Sequence, residues 1–480
     1  MLLQKNVPYY MVHFFLQRAV AERTETMGLI QDLAGIYEQS CIEYEQGRAE
    51  TFRVIERFGA DGGEAQSRGL WAYGDNAAFM HWLLAARGLG GKVQLIYADP
   101  PFFSKANYEA VAEIPLAEGR RIRHRAYADV WAAGMESYLK MLCVRLLAMR
   151  DLLADEGTIW VHLDWHSVHY VKTLLDEIFG DRNFVNEIIW QYKSGGSSKR
   201  HFARKHDTIL VYGKTPKYYL ELPKEKSYNR GMKPYRFKGI VEFCDEQGWY
   251  TMVNMKDVWN IDMVGRTSAE RTGYATQKPE ALLLRILEAG SRPGDLVCDF
   301  FGGSGTLGAA AGKSGRRWIC CDSGAPALAG AVKRFQKEGL AVDVAADAAD
   351  DTLMPKRCAA CAPAAVTATL QTEQLLHSEN CRVTVRLLDY RLQALPETLR
   401  RSARTDTEAA LAEDAISLLD YWCIDDQYNG EVFCARYFAA RSKGDLALSM
   451  SWEAHLQSLQ TTQIMVKAVD VFGNTAFCRL

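Results

Sequence analysis

The sequence predicts an α/β fold built on a largely parallel sheet, and three observations carry that expectation. Between Leu70 and Asp322, short apolar runs alternate with helical stretches. Two of those runs end on an aspartate followed by a special turn, Asp99-Pro100-Pro101-Phe102 and Asp299-Phe300-Phe301-Gly302-Gly303-Ser304-Gly305-Thr306. The 480 residues are 48% hydrophobic and 24% charged, which excludes disorder, collagen and coiled coil as the main character of the chain.

Taken in order, residues 1–65 read as a helical extension, with Phe14, Leu16, Val20, Leu29, Leu33 and Ile36 spaced for buried stripes. From Leu70 a strand ends at Gly74-Asp75, and a helix around residues 77–86 leads to the strand VQLIYA (93–98). A helix near 135–153 and the strand TIWVHL (158–163) follow, then a helix capped by Ser167 and closed by Gly180. Residues 187–213 read as two strands joined by a basic loop, and 214–274 are irregular, aromatic and basic. The α/β pattern returns with a helix opened by Pro279, the strand DLVCDF, a glycine-rich turn, a helix and the strand RRWICCD. The alanine-rich stretch 341–370 reads as a linker, and 371–480 as a separate β-rich domain with hairpin turns at Asn429-Gly430 and Gly473-Asn474.

No apolar run reaches the ~18 residues needed to span a membrane. The N-terminus lacks a signal-peptide layout, and twelve cysteines are too sparse for a disulfide scaffold. Those features point to a reducing, cytoplasmic setting. The net charge of −2 does not announce a nucleic-acid partner, so any basic surface must be local.

Asp99 follows a buried strand, where open α/β sheets place ligands. A carboxylate beside a carbonyl fixed by Pro100 and Pro101 can accept both hydrogens of a planar amino group, and Phe102 offers a face for stacking. Read alone, the same four residues also suit a strand-ending turn. The glycines after Asp299 let a cofactor approach the backbone. GSGTLG (303–308) with Asp322 beyond it also fits a dinucleotide fingerprint. The stretch Gly308–Ser314 is one residue short of a P-loop and reads as a helix end.

Together these motifs resemble the S-adenosylmethionine-dependent amino methyltransferases of DNA. The acceptor motif stands about 200 residues before the cofactor motif, an order similar to the permuted β class that includes modification subunits of type III restriction systems. The resemblance runs from Tyr73 to Asp322 and includes Gly74-Asp75-Asn76 and Thr276-Gln277-Lys278-Pro279. It implies a Rossmann-like methyltransferase sheet in two halves, 66–190 and 275–340, with a target-recognition insertion at 191–274. It further implies that Asp99, Pro100, Pro101 and Phe102 hold a flipped base. Asp75, Lys278, Pro279, Asp299, Phe301, Gly303, Ser304, Gly305, Thr306 and Asp322 would bind S-adenosylmethionine, with Asp322 on the ribose. Phe102 departs from the commoner Tyr or Trp. The leading Asp favours adenine N6 over cytosine N4; the other alternative is a non-catalytic DNA-binding or specificity subunit on the same scaffold, against which the intact motifs argue. None of the thirteen prolines precedes a cysteine, which argues against cytosine-C5 chemistry.

The partner so implied is double-stranded DNA, with a restriction subunit or a homodimer left open. Residues 193–239 hold thirteen Lys or Arg against three acids, with Lys193, Lys199, Arg200, Arg204 and Lys205 proposed on backbone phosphates. His162, Asp164, His166 and His169 have metal-like spacing but read better as a polar wall, and Cys358/Cys361 form a lone CxxC; no metal is expected.

Overall fold

The structure, a computed structural model, describes residues 29–47, 50–59, 68–114, 121–196, 199–265, 267–349, 364–397, 399–442, 445–455 and 463–480. The N-terminal stripe of Phe14, Leu16 and Val20 and the Cys358/Cys361 pair lie outside these residues.

One eleven-stranded sheet organises the molecule. Its order is Val258–Asn260, Phe184–Gln191, His206–Gly213, Leu153–Leu163, Val93–Ala98, Leu296–Asp299, Arg317–Asp322, Gly69–Tyr73, Val342–Asp347, Phe52–Phe58 and Phe433–Ala435. The six strands from Leu153–Leu163 to Val342–Asp347 are mutually parallel. They are buried on both faces, so they read as apolar runs rather than as alternations. Trp71, Leu95, Val297 and Cys320 pack towards one side with the helices Glu280–Gly290 and Ala325–Lys337. Ala72, Ile96, Cys298 and Cys321 pack towards the other with Asn76–Ala85, Gly134–Leu152 and Val168–Phe179. Successive residues of a strand point to opposite faces, which is what splits neighbours such as Trp71 and Ala72 between the two layers.

The insertion contributes to the same sheet. His206–Gly213 runs antiparallel to Leu153–Leu163 and to Phe184–Gln191. Beyond it stands a small sheet of Lys224–Tyr228, Glu242–Asp245 and Gly248–Asn254. No helix among the described residues is long and apolar enough to cross a membrane.

Four expectations need correction. The helical extension does not reach residue 65: Leu29–Gln46 is helical, but Phe52–Phe58 is a strand of the main sheet. A register shift between Val54 and Glu56 breaks its period-two alternation, which hid it in the sequence. The presumed linker contains the central-sheet strand Val342–Asp347 and the long strand Ala364–Gln374. Its alanines are small because they lie in a closely packed interior: Ala345 and Ala346 are 1% exposed. The β-rich C-terminal unit is not separate. Phe433–Ala435 pairs with Phe52–Phe58, and Tyr421, Cys423, Met465 and Val469 join the core of the main sheet. Finally, Ser167 precedes its helix without a side-chain cap; its hydroxyl is buried.

The junction with the C-terminal unit contains a buried ion pair, Lys467 Nζ with Glu56 Oε1, both side chains 1% exposed. Glu56 Oε2 has no hydrogen-bond partner among the described residues. Such a pair contributes little net stability, but removing one member strands a buried charge. Lys467→Met should lower the unfolding free energy by about 3–5 kcal/mol, and adding Glu56→Leu should restore much of it. Urea denaturation of the parent and the two variants checks this.

Candidate functional site

All of the special turns emerge at one edge. The parallel strands Gly69–Tyr73, Val93–Ala98, Leu296–Asp299 and Arg317–Asp322 deliver Asp75, Asp99, Asp299 and Asp322 to their carboxyl ends, the position at which open α/β sheets bind ligands. Between them lies a cleft of about 360 Å³.

On the acceptor side, Asp99, Pro100, Pro101 and Phe102 all line the cleft. Lys278 Nζ donates to Asp99 Oδ2 at 2.5 Å and lies 5.1 Å from the centre of the Phe102 ring. Asp99 Oδ1 is buried and has no hydrogen-bond partner among the described residues. The Phe102 ring stacks on His162 at 5.8 Å and 29°. His162 is fully buried: its Nδ1 faces the Tyr97 hydroxyl at 2.8 Å and its Nε2 faces Asp207 Oδ2 at 3.2 Å. Burial pushes the Asp207 carboxyl up, but the His162 hydrogen bond and charge outweigh it, so Asp207 titrates below the usual range. Among the described residues no group of three His, Cys, Asp or Glu converges as metal ligands. His162 is tied to Tyr97 and Asp207, and His166 to Asp164.

The loop after Phe102 bends sharply. Phe103 and Lys105 take φ of 64° and 59°, a conformation unfavourable for residues with a Cβ. Asp129, fully buried, holds it there. Its carboxylate accepts from the backbone N–H groups of Phe102 (3.1 Å), Phe103 (3.1 Å) and Ser104 (2.6 Å), from Ser104 Oγ (2.7 Å) and from Trp131 Nε1 (2.9 Å).

On the glycine-rich side, Phe301, Gly303, Ser304, Thr306, Asp299 and Asp322 line the cleft, as do Asp75 and Lys278. Pro279 and Gly305 are not among the lining residues. Pro279 caps the helix Glu280–Gly290, and Gly305 (φ 72°) turns back against Phe335, which a Cβ there would meet at 2.9 Å. Its glycine serves packing behind the loop. Asp322, the expected ribose ligand, already accepts from Gly303 N and Gly324 N, both at 2.8 Å, so it also shapes the loop. Asp75 caps the helix Asn76–Ala85 and pairs with Arg145 at 2.7 Å. Thr306 Oγ1 donates to the Lys278 carbonyl at 3.3 Å and accepts from the buried Arg334 at 2.9 Å, linking this loop to the residue that pairs with Asp99.

Burial raises the Asp299 carboxyl well above the usual carboxylate range; Asp99 and Asp322 raise it further, against the Phe301 N–H and Lys278. Burial likewise raises Asp322. The cleft is thus an acidic, partly dry site suited to a positively charged ligand.

Sequence reasoning missed several wall residues. Tyr108, Tyr127 and Tyr274 line the cleft as a stack, with ring centres 4.8 and 6.4 Å apart. The first two belong to a hairpin, Asn107–Glu113 with Arg121–Ala128, whose irregular alternation gave little signal. Of the five basic residues assigned to the insertion's loop, Lys205 closes the loop through Ser194 Oγ and Gly195 O, both at 2.8 Å, and Arg204 stacks on Trp165 at 3.7 Å. Lys193, Lys199 and Arg200 are exposed. The loop rises from the same sheet edge as Asp99, because Thr208 pairs with Leu163 next to it.

A family model described as DNA methylase matches residues 93–333. Type II methyltransferase M.EcaI of Enterobacter cloacae is 29% identical over 326 residues, spanning 55% of this chain and 68% of that protein. DNA adenine methyltransferase YhdJ of Escherichia coli (strain K12) is 26% identical over 234 residues, 47% of this chain and 70% of that protein. Among solved structures, the M1.HpyAVI–SAM complex is 18% identical with a TM-score of 0.36, covering 55% of this chain and 98% of its own. The cytosine-N4-specific PvuII DNA methyltransferase is 14% identical with a TM-score of 0.39, covering 57% and 90%.

Proposed function

This chain belongs to the DNA methylase family, and on that premise we propose that it transfers a methyl group from S-adenosylmethionine to the N6 amine of an adenine flipped out of duplex DNA. The observation that carries the reading is the partnerless, buried Asp99 Oδ1 beside Pro100, Pro101 and Phe102 in the cleft. A buried carboxylate oxygen lacking a donor is costly, and an incoming amine supplies one. The choice of adenine rests on the leading Asp99 and on the activity named for the Escherichia coli relative.

The residues present fit S-adenosylmethionine, since carboxylates surround the cleft and the glycine-rich turn opens its backbone there. When bound, that cofactor supplies a methyl group already activated on a sulfonium. Asp299, Phe301, Gly303, Ser304 and Thr306 line its side of the cleft, with Asp322 and Asp75 at the ends of neighbouring strands. What remains for the protein is alignment. Lys278 orients the Asp99 carboxylate, Asp99 and the adjacent fixed carbonyl take the amine hydrogens, and Phe102, backed by His162, receives the base ring. A base within the stack cannot reach this edge, so it must be extruded. The exposed Lys193, Lys199 and Arg200 suit the flanking phosphates.

Incubation with methylation-free duplex DNA and nucleoside mass spectrometry should reveal N6-methyladenine. N4-methylcytosine would overturn the choice of base, and binding of cofactor without any DNA methylation would overturn the reading. Asp99→Ala should reduce transfer by at least about 1,000-fold while leaving S-adenosylmethionine affinity nearly unchanged.

The raised Asp299 carboxyl gives a signed pH effect. A group whose value is raised keeps its proton to higher pH, and a cationic ligand favours its ionised form. Cofactor binding should therefore release protons, and affinity should increase as pH rises towards the value of Asp299 in the free protein. Calorimetry in buffers of different ionisation enthalpy measures that release.

For the DNA surface, Lys193→Glu combined with Lys199→Glu should reduce the slope of log affinity against log salt by about 2, read by fluorescence anisotropy.

A further inference from the structure

The DNA methylase match ends at residue 333, and nothing in it assigns a role to the C-terminal unit. We propose that this unit is a positioning element of the transfer reaction: it braces the paired strands Asn107–Glu113 and Arg121–Ala128, and through them holds the acceptor loop and one wall of the cleft. The inference rests on the proposed transfer at Asp99.

A lone two-stranded hairpin is marginal in water and needs something to pack on. Among the described residues this hairpin forms a two-stranded sheet of its own; Tyr127 at its end stacks on Tyr274, and its buried apolar residues pack into the C-terminal unit. Ile114 and Ile122 are buried in the same core as Val383, Leu418 and Phe472. His124, also buried, meets the edge of Phe472 at 5.6 Å. Arg400 Nε pairs with Glu109 Oε1 at 2.8 Å. Along Arg121–Ala128 the alternate residues Ile122 and His124 turn inward while Arg121, Arg123 and Arg125 stay exposed, so one face of the strand is given to this contact.

The other end of the hairpin is the active site. Tyr108 and Tyr127 stack at 4.8 Å and line the cleft. The Tyr108 hydroxyl donates to Ser104 Oγ at 3.0 Å. Asp129 follows the last hairpin residue, and its N–H bonds the Ala106 carbonyl at 2.9 Å. Its carboxylate is the one that holds Phe102, Phe103 and Ser104 in their unfavourable bend. Loosening the hairpin therefore releases Asp129 from its place and frees the loop that carries Phe102, while the glycine-rich loop stands on separate strands and stays put.

The test uses the full chain carrying Ile122→Ala or Phe472→Ala, with Phe472→Leu as a variant that keeps bulk and loses the ring contact. Hydrogen exchange should accelerate at least about tenfold in 99–113 and 121–131, with strands 296–299 and 317–322 still protected. The turnover number should fall about tenfold or more at saturating cofactor, with S-adenosylmethionine affinity within about twofold of the parent. A turnover that is unchanged while the hairpin exchanges faster would overturn the proposal. So would unaltered hairpin protection in all three variants, or equal loss of protection throughout the catalytic sheet in Phe472→Leu. A parent protein that methylates no DNA would sink the reading of the reaction, but the exchange pattern would still judge the brace.

Discussion

The ion pair between Lys278 and Asp99 is the constraint on which the site depends. Its partners stand 179 residues apart: Asp99 follows the strand Val93–Ala98 at its carboxyl end, and Lys278 lies in the loop before the helix Glu280–Gly290. Lys278 is fixed from behind, because its carbonyl accepts from Thr306, whose hydroxyl accepts from Arg334. Arg334 in turn reaches Glu280 at 3.1 Å and Glu338 at 3.3 Å. The acceptor carboxylate is thus oriented by the opposite half of the chain. A pair at 10% and 17% side-chain exposure keeps its geometry better than a solvated one would, since water competes for neither partner freely.

That arrangement explains which parts of the site were legible. Asp99, Phe102 and the glycine-rich turn announce themselves because residue type and local backbone together serve chemistry at one short stretch. Asp129 and His162 serve the same site, yet nothing adjacent to Asp129 marks it, and the residues around His162 pointed only to a polar wall. Asp129 acts on residues 25 to 27 positions earlier in the chain, and His162 acts on Phe102 across two neighbouring strands. The spacing of His162, Asp164, His166 and His169 is metal-like but reads better as a polar wall. The fold turns His162 inward to Tyr97 and leaves His166 on Asp164, because residues around the end of a strand do not share one face. Gly305 was expected at the cofactor for its place in a motif; its φ of 72° and the nearness of Phe335 also call for a residue without a side chain.

The fold was legible where strands lie between two helical layers, and illegible at its margins. Phe52–Phe58 and Val342–Asp347 extend the sheet past the resembling segment, antiparallel to one another. One carries a bulge and the other is built of small residues, so neither shows the period that marks a strand. The pairing of Phe433–Ala435 with Phe52–Phe58 is longer-range still, and only three residues make it. Compositional contrast suggested a linker and a free domain; buried contacts show one continuous body joined by Lys467 and Glu56.

The basic loop and the acceptor aromatic share a root, and this bears on how DNA contact and base capture are related. Tyr192 N bonds the Lys205 carbonyl at 3.0 Å, closing the loop at its neck, and the Tyr192 hydroxyl donates to Asp207 Oδ1 at 3.1 Å. Asp207 is also the partner of His162, on which Phe102 stacks. The loop therefore does not hang from the sheet as an independent arm. Its neck is hydrogen-bonded to Asp207, the partner of the histidine that backs the Phe102 ring, while Lys193, Lys199 and Arg200 are exposed. On the proposed reading, phosphates bound by this loop would sit at a fixed offset from Phe102, which is what catching one particular extruded base requires. Breaking the neck separates those two tasks without touching either Asp99 or the cations themselves.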